Sequence, residues 1–169
     1  MRDLTAIRRF AIAAAFLAGL LIALAACSSP PSVDVPTATP GPRTGQEVFA
    51  ATCAACHGAE GQGQPDWHIR NPDGTLPAPP LNGDGHTWHH ADGLLYRIVS
   101  QGGQLWEDPS LPQFKSGMPA FGEQLTHEEI VAVLEYIKSL WGDKVGRGVS
   151  IVEHQALVSE TDPLPSSGN

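Results

Sequence analysis

The chain has 169 residues, with 18 acidic against 10 basic side chains, a formal charge of −8 and a hydrophobic fraction of 41%. That length leaves room for one modest core plus appendages, and the acidic balance excludes nucleic acid as a partner. The first nine residues hold three arginines and one aspartate, so the remainder is two charges more negative than the whole.

Arg2, Arg8 and Arg9 precede an uncharged run from Phe10 to Ala26, and the run ends in Leu24-Ala25-Ala26-Cys27. A basic start, an apolar middle and a small-residue ending read as an export signal over residues 1–26. The run is about the minimum that crosses a bilayer, so a single-span anchor is the competing reading. Its ending favours cleavage. Leu-Ala-Ala-Cys resembles the lipobox of bacterial lipoproteins, which implies that Cys27 becomes the first residue of the mature chain and carries lipid. Several acyl chains hold a protein on a bilayer far more firmly than one. The expected location is extracytoplasmic and membrane-anchored. Arg8-Arg9 sits in surroundings that fit a twin-arginine signal poorly. Residues 27–43 are rich in Ser, Pro and Thr, a composition that buries no core and serves as an extended tether.

The folded part opens at Thr44, which stands three residues before Glu47, the separation of a capping box. A helix from here delivers Cys53-Ala54-Ala55-Cys56-His57, a C-x-x-C-H sequence that reads as the covalent attachment site of a c-type haem. The thiols of Cys53 and Cys56 reach the two vinyl groups, and the imidazole of His57 comes up beneath the iron. Half a zinc site would need two more ligands at related spacing, and a thioredoxin-like pair would need a βαβ setting. Neither is present in the pattern.

A Gly- and Pro-rich stretch runs from Gly58 to Pro79-Pro80-Leu81 and reads as loop, expected where the backbone wraps a large flat cofactor that itself fills the core. In His86-Thr87-Trp88-His89-His90 three imidazoles fall within five residues. Copper or zinc binding is one reading, and a turn entering the next helix, with Trp88 packed near the haem, is the other. The second helix spans about 92–100, with Leu94, Leu95, Ile98 and Val99 on one face and Gly102-Gly103 stopping it. Met118, the only methionine besides the initiator, lies between Gly117 and Pro119 and is the candidate sixth iron ligand, with His68, His86, His89 and His90 as rivals. The third helix follows Thr126 and Glu129, a second capping box, and places Ile130, Val133, Leu134, Ile137 and Trp141 on one face. No strand pattern is evident. Residues 143–169 form a tail for which disorder and docking of Val149 to Val158 on the domain or on a partner are both open.

Between residues 44 and 142 the chain resembles class I cytochromes c in their bacterial single-haem form. The resemblance rests on Gly45 and Phe49, on Cys53, Cys56, His57 and Gly58, on Pro79-Pro80-Leu81, on Gly117-Met118-Pro119, and on Leu134, Tyr136, Ile137 and Leu140. It implies an all-α fold, about three main helices plus long loops around one covalent haem, with the first and last helices crossing near Gly45 and Phe49. It also implies that a carbonyl of Pro79 or Pro80 accepts the ring N–H of His57, with Pro80 and Leu81 in the haem environment and Leu81 pressing on the haem face. An insertion around 64–76 departs from the smallest members and leaves the lower haem edge undefined.

Iron with His57 and Met118 in both axial positions has no place for a substrate, so the expected function is single-electron transfer without enzyme activity of its own. The main expectation is a membrane-tethered carrier. The alternative is a haem-bearing subunit of a larger membrane oxidoreductase, or a sensor with an open iron. The expected partners are membrane complexes or a small basic carrier, which the acidic mature chain would attract.

Overall fold

The computed structural model describes residues 41–106 and 115–167. The expected export signal 1–26, Cys27, the tether up to residue 40 and the acidic pair Glu107-Asp108 lie outside the described residues. Among the described residues no helix is long and apolar enough to cross a membrane.

Thr44 starts α1 as its spacing to Glu47 predicts. The Thr44 hydroxyl accepts from the Glu47 amide at 3.3 Å, and the Glu47 carboxylate accepts from the Thr44 amide at 2.8 Å. Two of the four amides a helix start leaves unpaired are thereby satisfied. α1 continues through three pieces, α-helical Gly45–Val48, a π-helical turn Phe49–Cys53 and α-helical Ala54–His57. In the wide turn the Ala54 amide reaches back five residues to the Phe49 carbonyl. Such turns recur at functional positions, and this one lies directly before the second cysteine and the histidine. Gly58, at φ 80°, ends the helix.

α2 spans Asp92–Gln101 and buries Gly93, Leu95 and Val99. α3 spans His127–Ser139, with Thr126 and Glu129 forming the second capping box. Ile130, Val133, Leu134 and Ile137 face the core from α3, and Trp141 just beyond it is 1% exposed. α1 and α3 meet where Gly45 lies against the Ala132 carbonyl and the rings of Phe49 and Tyr136 pack at 5.2 Å between centroids. An ion pair seals the same crossing: the Arg43 Nε donates to the Glu129 carboxylate at 2.7 Å.

Arg43, together with the Thr126 amide, holds the Glu129 carboxyl at about 2, well below its ordinary value of 4.5. A carboxyl that is more acidic folded than unfolded favours the folded state when ionised. Its contribution is therefore complete above about pH 4.5 and disappears as pH falls from there toward 2. Glu129→Gln should flatten the acid side of the stability profile, read as urea midpoints between pH 6 and pH 2.5, while lowering stability at neutral pH. Parallel profiles for the two proteins would contradict this role.

The residues after Gly142 fold onto the domain. Val145–Gly146 (β1) pairs antiparallel with Val149–Ser150 (β2) across Arg147 and Gly148, both at positive φ, the backbone that a tight two-residue hairpin requires. Strands of two residues leave no alternation to read, which is why the sequence shows helices alone. α4 follows as Ile151–Ser159. Ile151 is 2% exposed, and the Ser159 hydroxyl accepts from the Asp92 amide at 3.1 Å, so α4 caps the start of α2. Gln155 donates to the Asp92 carboxylate at 2.6 Å, Lys138 pairs with the same carboxylate at 2.8 Å, and Arg97 forms a two-pronged pair with Asp162. Asp92 thus ties α2, α3 and α4 together. Trp88 packs under this extension, against Gly146 and the His154 ring. Apart from the hairpin and one bridge, Thr75 with Lys115, the described residues are helix and loop.

Candidate functional site

The last turn of α1 presents Cys53, Cys56 and His57 together. Neither thiol is paired in a disulfide: Cys53 is half-buried and Cys56 exposed. Burial first, and the neighbouring Cys56 second, push the Cys53 thiol up to about 11, so it stays protonated in this setting.

The loop after α1 doubles back on itself. The Gly63 amide donates to the His57 carbonyl at 2.7 Å, Gln64 donates to Ala78 at 2.9 Å, and the Leu81 and Asn82 amides both donate to Gly61. Residues 58–64 therefore run beside residues 78–82. Gly63, at φ 74°, is where they come closest, since a Cβ there would lie 2.5 Å from the Pro80 nitrogen. From outside the loop, the Trp141 indole donates to the Leu81 carbonyl at 2.9 Å and fixes the same strand of chain to the end of α3.

That arrangement sets the Pro79 carbonyl 2.8 Å from His57 Nδ1. A carbonyl only accepts, so Nδ1 carries the proton and Nε2 keeps its lone pair. Of the two prolines named as acceptors for this ring, Pro79 takes the role. Pro80 is buried and turns its carbonyl toward Gly85, at the spot a Cβ would need. Burial lowers the pKa of His57 below its ordinary value and outweighs the Pro79 hydrogen bond, which pulls the other way. The ring is neutral, the form in which imidazole binds a metal. Leu81 is half-buried against the core.

Met118 lies on a loop with its own hydrogen bonds. Its amide donates to the Ser116 hydroxyl at 3.1 Å and its carbonyl accepts from the Gly103 amide at 3.0 Å. Farther along, the Phe121 and Gly122 amides donate to Val99 and Ser100, stitching the loop to the end of α2. The Met118 side chain is partly buried and packs against the core. The insertion over 64–76 has a use here: its turn, closed by Asn71 and Thr75, bridges to Lys115 just before Met118.

The rival imidazoles are engaged with other aromatic rings. His68 and His86 each contact Trp67 at 5.8 Å, His86 meets His90 at 5.4 Å, and His89 meets His154 and Trp88. The three histidines of 86–90 do not converge on one point. Among the described residues no group of three or more His, Cys, Asp or Glu side chains could hold a metal ion.

Two thiols free of any disulfide, a neutral imidazole with Nε2 available, and a thioether on a stitched loop make a donor set that fits haem c. The supporting contacts of Trp141, Gly61 and Gly63 are invisible to a motif reading, because each bonds to the backbone around the site and none is itself a haem ligand type.

The cytochrome c family profile matches residues 42–141. A subunit CcoP of a cbb3-type cytochrome c oxidase from Azospirillum sp. (strain B510) is 28% identical over 125 residues, 70% of this chain and 38% of that protein. The cytochrome c subunit of a quinone alcohol dehydrogenase from Gluconacetobacter polyoxogenes is 25% identical over 124 residues, 73% of this chain and 24% of that protein. A CcoP from Azospirillum brasilense is 32% identical over 98 residues, 57% of this chain and 30% of that protein. The chain thus spans well under half the length of these relatives. The matched span takes in α1, the Pro79 loop, the Met118 loop and α3, and the chain belongs to the cytochrome c family, as an electron-transfer protein with covalently bound haem c.

Proposed function

We propose that this protein is the haem-bearing electron-transfer subunit of a larger membrane oxidoreductase, with one haem held as thioethers on Cys53 and Cys56 and with His57 and Met118 as axial ligands. A haem c in that setting supplies one-electron ferric–ferrous chemistry and no substrate site. The observation that carries the reading is the His57 ring, whose Nδ1 is committed to the Pro79 carbonyl at 2.8 Å and whose Nε2 is left as the donor. Pro79 orients the ring and raises its basicity, as hydrogen-bond partners of metal ligands do. Leu81, half-buried against the core, and the buried Pro80 follow directly in the chain and would line the haem environment. The single C-x-x-C-H sequence in the chain supports one haem, whereas the relatives, being much longer, have room for more.

The subunit reading is favoured over a free carrier because the relatives are named as subunits of a cytochrome c oxidase and of a quinone alcohol dehydrogenase. Lipid on Cys27 and the 27–43 tether would keep the domain on the outer side of a membrane, where effective concentration near a membrane complex is high. In this reading residues 1–26 are removed on export, 44–142 form the haem domain, and 143–169 form an extension of it. Membranes dissolved in mild detergent and separated by size should carry this chain's haem in a fraction much larger than 17.9 kDa that retains oxidoreductase activity. Haem that runs alone at the size of one detergent-bound chain would favour the tethered single carrier instead, and carbon monoxide binding by the unaltered ferrous protein would favour an open-iron sensor.

A further inference from the structure

His154 lies beyond the family match, on α4, and meets His89 of the Thr87–His89 turn. His89 Nδ1 and His154 Nε2 are 3.3 Å apart, with their rings nearly perpendicular at 82°. A tetrahedral ion with bonds of about 2.0 to 2.1 Å to imidazole nitrogens sets two such nitrogens roughly 3.3 to 3.4 Å apart. The spacing therefore suits two ligands of one ion as well as it suits a hydrogen bond. Trp88 backs both rings, with centroids 3.6 Å from His89 and 5.4 Å from His154, and its indole is held by the Gly85 carbonyl at 3.1 Å. This backing fixes the pair without supplying a competing donor.

We propose that His89 and His154 form a two-imidazole site for a borderline divalent cation, Zn2+ or Cu2+, and that an ion bound there fastens α4 to the turn preceding α2. Imidazole nitrogens suit these metals, and with two protein ligands the remaining positions fall to water. Both rings must be neutral to bind the ion, and the Arg147 guanidinium is a positive neighbour of His89. The same Arg147 opposes a cation, so the site binds moderately and its affinity is set in part by that guanidinium. The proposal is independent of the electron-transfer reading, because neither residue belongs to the donor set for haem.

The test is calorimetric titration of Zn2+ alone into the tag-free, haem-loaded protein at pH 7.5, with hydrogen exchange of α4 amides read with and without the ion. Saturable binding of one Zn2+ per chain is expected. His154→Gln and His89→Gln should each weaken it at least tenfold, His127→Gln should leave it unchanged, and Arg147→Gly, which suits the positive φ there, should tighten it. The haem absorbance of each variant reports that the domain is folded. Absence of saturable binding, or binding untouched by both His89→Gln and His154→Gln, would overturn the site. Binding without slower exchange in α4 would overturn the fastening role.

Discussion

Gly45→Ala is expected to cost about 3 kcal/mol or more, the upper range for forcing atoms into a packed contact. A Cβ at residue 45 would lie 2.0 Å from the Ala132 carbonyl oxygen and 2.6 Å from its carbon, with the Tyr136 Cβ at 2.9 Å on the other side. The first two obstacles are backbone in the middle of α3, so no rotamer change makes room and the helices must separate. Separation strips Phe49, Val48 and Val133, each at most 1% exposed, of their packing. Gly41→Ala is the control, since nothing lies within 4 Å of a Cβ there. Urea unfolding of both variants followed by circular dichroism decides it, and a Gly45→Ala midpoint equal to that of Gly41→Ala would contradict the crossing as the seam of the fold.

Met118→Ala is expected to change the iron rather than the fold. The methionine side chain is only partly buried, and the loop that carries it keeps its backbone bonds to Gly103, Val99 and Ser100. Loss of the thioether removes the soft donor that favours ferrous iron. The reduction potential should fall by a sizeable part of the roughly 0.8 V span that axial ligands command, and the ferrous protein should take up carbon monoxide. Met118→His should stay closed to carbon monoxide while its potential falls. A potential and ferric spectrum unaltered in Met118→Ala would pass the ligand role to His68, His86, His89 or His90.

The parts of the site that a reader of the sequence could find are those where one residue type does the chemistry alone. Cys53, Cys56, His57 and Met118 stand out by residue type as candidate donors, and Thr44 with Glu47 and Thr126 with Glu129 mark helix starts because a cap needs only local chain. The choice between Pro79 and Pro80 was not legible, since it depends on how residues 58–64 lie against 78–82, and two adjacent carbonyls look alike until that pairing exists. The π turn over Phe49–Cys53 was equally hidden, because its composition is that of any helix. The C-terminal extension shows a third limit. Val149 to Val158 carry weak helical amphipathicity, and what docks α4 is a set of single polar contacts, Ser159 and Gln155 with Asp92 and Asp162 with Arg97, each more than 60 residues apart in sequence. The pairing of His89 with His154 arises only from that docking.

The central claim, that this fold holds one haem covalently on Cys53 and Cys56, is tested most directly by the intact mass of the purified mature protein under denaturing conditions. The account predicts a chain beginning at Cys27 that carries the mass of one haem and of acyl groups, with the haem mass lost entirely in Cys53→Ala/Cys56→Ala. A denatured chain without a haem adduct, or a double variant that keeps it, would contradict the account.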